Sequence, residues 1–239
     1  MKPKKVAFSE GEHGPFFVSV NQLMSESSQG FRSQAAIPSA RIAVFLILGA
    51  NTMTVVDYRS AEELQAGLEH ILASPKESGR VDMIVRRPQE NEREVLEQAE
   101  LDTATGLVGD NWLQKGYRKT ADGSAHPDMQ INLMNTRVIS LVAGDRLRWP
   151  LAGDQFFVDL DLSDENLPPG TRLRIGTATL EITAEPHLGC KKFTGRFGLE
   201  AMKFVNSGLG KELNLRGINA KVVEPGSVST GDVIRKLAV

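Results

Sequence analysis

The sequence predicts a mainly β protein, a barrel with a few short helices, and three observations carry the prediction. From about Met129 onward, short β-like runs follow one another, separated by turns rich in Gly and Pro. Segments with helical spacing of apolar residues are few and short. No regular alternation of strand and long helix, the mark of a doubly wound fold, runs through the chain.

The chain has 239 residues, enough for one large or two small domains with a proper core. It is 41% hydrophobic and 24% charged, with a formal net charge of −2. Such a balance gives no bulk attraction to nucleic acid or to an anionic membrane, so neither is expected as a partner and any anionic ligand needs a local basic patch. A single cysteine excludes an intrachain disulfide and every Cys-rich zinc or iron–sulfur framework. It suits a reducing compartment, and a cytoplasmic location is expected. The longest apolar run, Ile42 to Ala50, is about half of the ~20 residues needed to cross a membrane.

Taken in order, residues 1–40 are rich in Ser, Gln, Gly and Lys without a sustained period, and residues 1–52 read as an extension with little structure. Residues 53–80 read as a helical lead-in packing on the barrel. Ser60 and Glu63 have capping-box spacing, Leu64, Leu68, Ile71 and Leu72 form one stripe, and Pro75 ends it. Residues 81–239 are expected to form the barrel. Val81 to Val85 reads as a strand delivering Arg86-Arg87-Pro88, Glu90 to Glu100 as a short helix or ordered loop, and Gly106 to Trp112 as a turn. Met129 to Leu133 and Phe156 to Leu162 read as strands. Asp159 and Asp161 fit a solvated strand face better than a metal pair. Thr171–Gly176 and Ala178–Ala184 read as a hairpin turning at Gly176-Thr177. A helix is expected over 197–205, then strands at 220–223 and 233–237.

Chemistry concentrates between Pro186 and Gly198, which hold His187, the only cysteine, Cys190, and the cations Lys191, Lys192 and Arg196. Neighbouring cations favour a thiolate, the nucleophilic and metal-binding form, whereas a cysteine can equally serve as a small buried apolar side chain. A His187–Cys190 nucleophilic pair lacks an identifiable third group to orient the imidazole. His13, His70 and His126 have no zinc-ligand spacing. A soft metal whose other ligands come from a cofactor needs only one thiolate. Neither a P-loop nor a dinucleotide fingerprint is present.

The chain from about Val81 to Leu237 resembles the MOSC domain family, named for the C-terminal domain of molybdenum cofactor sulfurases. The resemblance rests on Arg86-Arg87-Pro88, the Gly106 to Asp110 turn, Gln130, Leu167 to Gly176, and Gly189-Cys190-Lys191. It closes with Arg216-Gly217-Ile218 and Val223 to Asp232. It implies a β-barrel whose cysteine, Cys190, either ligates the molybdenum of a pyranopterin cofactor or carries a sulfane sulfur. Relatives reduce small N-hydroxylated compounds with electrons from a separate redox protein, which this chain would also need, having no cysteines for a cluster. On that resemblance, Cys190 is the catalytic and metal-binding residue. Arg196 and Arg216 are the preferred cofactor-phosphate contacts, Lys191 and Lys192 support the thiolate, and His187 lies beside the cofactor. Arg86, Asp110 and Gln130 are assigned to the barrel. The alternatives are a sulfur carrier holding a persulfide on Cys190, served by a sulfurase, and a non-catalytic anion-binding domain.

Overall fold

A computed structural model describes residues 4–7 and 58–238, so the extension beyond Ala7 and the apolar run at 42–50 lie outside the described residues. Strand β1 is Lys4–Ala7. Helices α1, Ala61–Ala66, and α2, Leu68–Leu72, precede β2, Ser78–Arg86. Strands β3, Glu92–Leu96, β4, Gln98–Asp102, and β5, Gly106–Leu107, lead to a short α3, Trp112–Lys115. β6, Ile131–Asn135, runs into α4, Thr136–Ala143, and a 3-10 segment at Arg146–Ala152 leads to β7, Phe156–Asp159. β8, Arg172–Ile175, and β9, Ala178–Ile182, form the expected hairpin. Helices α5, Lys191–Phe197, α6, Leu199–Asn206, and α7, Gly208–Glu212, precede β10, Ile218–Glu224, β11, Gly226–Ser229, and β12, Val233–Lys236.

Seven strands close a barrel in the order β2-β12-β8-β9-β10-β6-β7, with β7 returning to β2. All its pairings are antiparallel except β6 with β7, which run parallel. β3 extends the sheet from the end of β2, with β1 outside it, and β11-β4-β5 form a small second sheet. The core is a continuous cluster that includes Val81, Ile84, Leu133, Phe156, Val158, Leu173, Leu180 and Ile234. Burial of such side chains contributes roughly 1.5–3 kcal/mol each and fixes which face of each strand points inward.

Closure depends on a close approach. A Cβ on Gly79 would lie 1.8 Å from the Asp159 carbonyl oxygen, so only glycine lets β2 and β7 meet there. Asp159 itself pairs with Arg137 at 2.8 Å, which makes it part of a solvated ion pair, and Asp161 accepts from the Ser163 amide at 2.9 Å.

Three local expectations are corrected. The capping box at Ser60 and Glu63 forms, with both reciprocal bonds, but the helix is interrupted at Gly67, against which Leu141 packs, and Leu72 is exposed. Residues 90–100 form strands instead of a helix or loop. The buried position of β3 is occupied by Glu94, neutralised by Arg86 at 2.5 Å, so the inward residue carries a charge that masks the strand pattern. Helix α5 follows the cysteine directly, where the sequence suggests a loop: Phe193 and Phe197 bury one face while Gly195 and the cations obscure it.

Gly79→Ala is expected to destabilise the protein by about 1–3 kcal/mol, the usual cost of overpacking a tight contact. Urea denaturation checks this, and a loss below ~0.5 kcal/mol, the scatter of neutral surface substitutions, would show that β2 and β7 are not pinned at this point.

Candidate functional site

The site is assembled where the segment after β9 meets the turn before β7 and the entry to β10. Gly189 is clamped by Asn206 at the end of α6, which accepts from the Gly189 amide at 3.0 Å and donates to its carbonyl at 3.2 Å. Close packing of Gly189 on Met202 leaves no room for a Cβ. Cys190 follows as the residue preceding α5, in extended backbone, with its carbonyl accepting the Thr194 amide at 3.0 Å. Its thiol is exposed. The reading of Cys190 as a buried apolar side chain is therefore corrected: the segment turns it to the surface.

Behind the thiol lies a buried polar cluster centred on Asp154, whose side chain has no exposed surface. Arg216 donates through one nitrogen to both carboxylate oxygens at 2.9 and 2.8 Å, and through another to the Ala152 carbonyl at 2.9 Å. His187 Nε2 lies 2.9 Å from the same carboxylate. Burial pushes the Asp154 pKa up, but Arg216 and His187 outweigh it and hold it at about 2. An ionised carboxylate only accepts, so His187 Nε2 carries the proton of a neutral imidazole. Burial, followed by the Arg216 charge, lowers the His187 pKa in the same sense. Gly217, at φ +110°, makes this possible, since a Cβ there would meet the Leu133 carbonyl and crowd the His187 ring.

Arg216 also stacks over Phe193, its guanidinium carbon 5.0 Å from the ring centre, which ties α5 to the cluster. Its Nε is buried without a hydrogen-bond partner among the described residues. Arg196 is buried and donates to the Leu151 carbonyl at 2.8 Å. Lys191 and Lys192 are exposed, and Lys192 pairs with Glu90 at 2.6 Å.

Three further cations belong to this face. Arg87 is held by Asp110 through two bonds of 2.9 and 2.8 Å, and reaches the Asn132 side chain at 3.0 Å and the Gly153 carbonyl at 2.9 Å. Arg93 donates to the Pro150 carbonyl at 3.1 Å. Its pKa is pushed down to about 10, first by burial and then by the charges of Arg196 and Arg87, against which Asp110 and Asp154 act more weakly. Burial, Arg87 and Lys192 lower the Lys115 pKa in the same way. The face thus carries more positive charge than its carboxylates balance, an arrangement suited to an anionic ligand.

The structure brings His187 and Arg216 together on Asp154, buries Arg196 against the Leu151 carbonyl, and leaves Cys190, Lys191 and Lys192 exposed. Sequence reasoning missed Asp154, Arg93 and Lys115. Arg87 had a visible signal, the Arg86-Arg87-Pro88 strand end, and Arg86 differs from it by pairing with Glu94 on the neighbouring strand. Gln130 serves the barrel, donating to the Thr103 carbonyl and accepting from the Val222 amide at 2.7 Å. Among the described residues, no three His, Cys, Asp or Glu side chains gather as a metal site, and no helix is long and apolar enough to cross a membrane.

Asp154→Asn is expected to cost about 3–5 kcal/mol, because it leaves the Arg216 charge buried without its counterion. The depressed Asp154 pKa gives stability that is present above the unfolded value near pH ~4 and lost as pH falls toward 2. Denaturation across pH 2–7 should therefore show a shallower acid limb in the variant; parallel curves would contradict this role.

A family model described as the MOSC domain matches residues 123–235, a span that includes Asp154, His187, Cys190 and Arg216. The crystal structure of the YuaD protein from Bacillus subtilis superposes with a TM-score of 0.51 at 18% identity, covering 66% of this chain and 94% of that one, a likeness of fold. YiiM from Escherichia coli gives a TM-score of 0.44 at 19% identity, over 67% and 70% of the two chains. YiiM from Geobacillus stearothermophilus gives 0.45 at 14%, over 67% and 75%. No curated protein sequence matches the chain.

Proposed function

We propose, from the match of residues 123–235 to the MOSC domain, a family associated with the molybdenum cofactor, that the chain binds this cofactor and reduces N–O bonds of small N-hydroxylated compounds. The observation that carries the reading is an exposed cysteine opening α5, the helix whose Arg196 and Lys192 add their charges to those of Arg93 and Lys115.

The residues fit such a group. A pyranopterin cofactor presents soft sulfur at one end and an anionic phosphate at the other. Cys190 offers an accessible soft donor, and the cation face offers charge. The Nε of Arg216 is a buried donor directed to no acceptor among the described residues. When bound, the cofactor would supply the two-electron centre for reductive N–O cleavage. Net reduction takes R–NHOH, two electrons and two protons to R–NH2 and water, with the electrons delivered by a separate redox protein.

The chain's own residues divide the remaining work. Cys190 anchors the metal end, positioned by the Asn206 clamp on Gly189. Arg93, half-buried, and Lys115, exposed, stand among like charges that weaken their hold on a proton, and gain most from an arriving anion. Lys191 and Lys192 add exposed charge next to Cys190 in the chain. Arg216 and His187 keep Asp154 ionised beneath the site and so hold the floor rigid.

Purified from cells with intact cofactor synthesis, the protein is expected to contain about one molybdenum per chain, and Cys190→Ser to lose at least tenfold of it with an unchanged melting temperature. Elemental analysis with intact mass decides this. Metal retained by the variant contradicts Cys190 ligation, and a metal-free protein carrying a sulfane mass on the thiol would establish the persulfide carrier instead. Lys192→Glu, an exposed change, should lower cofactor retention severalfold without altering stability by more than ~0.5 kcal/mol. Retention equal to wild type would remove the rim cations from the binding surface.

A further inference from the structure

A pocket of about 350 Å³ opens beside the cysteine segment, at the low end of the range of small-molecule sites. Leu167, Ile182 and Ile218 contribute apolar wall, and none of Cys190, Arg87, Arg93, Lys115, Arg196 or Arg216 lines it. It is separate from the cation face, and its ligand is independent of the cofactor reading.

Among the uncharged side chains of its walls the hydrogen-bonding capacity is one-sided. Thr183 already donates its hydroxyl to the Asp128 carbonyl at 2.6 Å. Asn214 donates its amide to the Leu162 carbonyl and the Asp164 side chain, and Asn219 donates to the Glu185 carbonyl. These side-chain donors are consumed within the protein. His187 also lines the pocket, with Nε2 turned to Asp154 and its Cδ2 edge packed at Gly217. The remaining edge of the ring carries Nδ1, which makes no protein hydrogen bond among the described residues. In the neutral tautomer set by Asp154, Nδ1 is an acceptor. The charged lining residues are Asp164 and Glu185 against a single ammonium, Lys211, a balance that disfavours an anion.

We propose that this pocket is a binding site for an uncharged, largely apolar small molecule that presents an N–H donor, and that His187 Nδ1 accepts that hydrogen bond. Asp154 acts as the positioning residue, since it fixes the tautomer that leaves Nδ1 free of a proton. The apolar walls supply burial and the imidazole supplies orientation. A site built to accept a donor discriminates against an analogue that lacks it, because the acceptor is then left desolvated and unpaired.

Indole and benzofuran have nearly the same shape, and only indole carries an N–H. Calorimetric titration of each into the full-length protein is expected to give at least tenfold tighter binding of indole. Long-range proton–nitrogen NMR of the imidazoles should show the His187 Nδ1 resonance moving at saturating indole and staying in place with benzofuran. His187→Phe identifies that resonance by its disappearance and, where it folds, should abolish the preference. A preference below tenfold, no binding of indole, or an unmoved Nδ1 resonance at saturation would each overturn the proposal, and the last needs only the wild-type protein.

Discussion

The structure turns on one buried carboxylate. Asp154 cannot be solvated, and a lone charge in such a place would cost several kcal/mol. It is tolerated because Arg216 and His187 converge on it from the entry to β10 and from the segment after β9. That convergence fixes three pieces of chain distant in sequence. Arg216 then carries Phe193 and with it α5, so the start of that helix, where Cys190 sits, is set by the same ion pair. Remove the carboxylate and the thiol keeps its sequence position but loses the floor on which it is presented.

A second constraint is steric and lies in glycines. Gly79 admits the β2–β7 approach that closes the barrel, and Gly217 admits the His187 ring beside the Leu133 carbonyl. Barrel closure is what carries β6, β7 and β10 to one end, where Asn132, Asp154 and Arg216 meet Arg87 from the end of β2. The surplus of cations at that end is therefore a product of topology: Arg87 and Arg93 come from the β2 and β3 region, Arg196 and Lys192 from α5, Lys115 from α3. Such charges held together in a folded protein repel one another, and a bound anion relieves the repulsion.

Much of this is legible in the sequence. Apolar alternation at Leu173 to Ile182, the turn at Gly176-Thr177, and the capping box at Ser60 all encode their structure locally, and each forms, whereas of the run Phe156 to Leu162 only Phe156–Asp159 becomes strand. Cys190 among cations stands out for the same reason. What stays hidden is what depends on burial of charge. Glu94 occupies an inward strand position and erases the β3 pattern, because its partner Arg86 lies on the neighbouring strand. Asp154 gives no local signal, since a carboxylate after Gly153 reads as a turn until the barrel seals it beneath Arg216. The mirror case is His187, close to Cys190 in sequence, whose Nε2 is turned instead to Asp154 and whose ring lines a separate pocket.

The fold thus presents one soft donor over a charged and rigid floor, and the central claim is that this donor holds a metal. Molybdenum K-edge X-ray absorption on the protein produced with its cofactor tests it most directly. The predicted result is a first shell containing a sulfur from Cys190 in addition to those of the cofactor dithiolene. A first shell with dithiolene sulfur alone would contradict it.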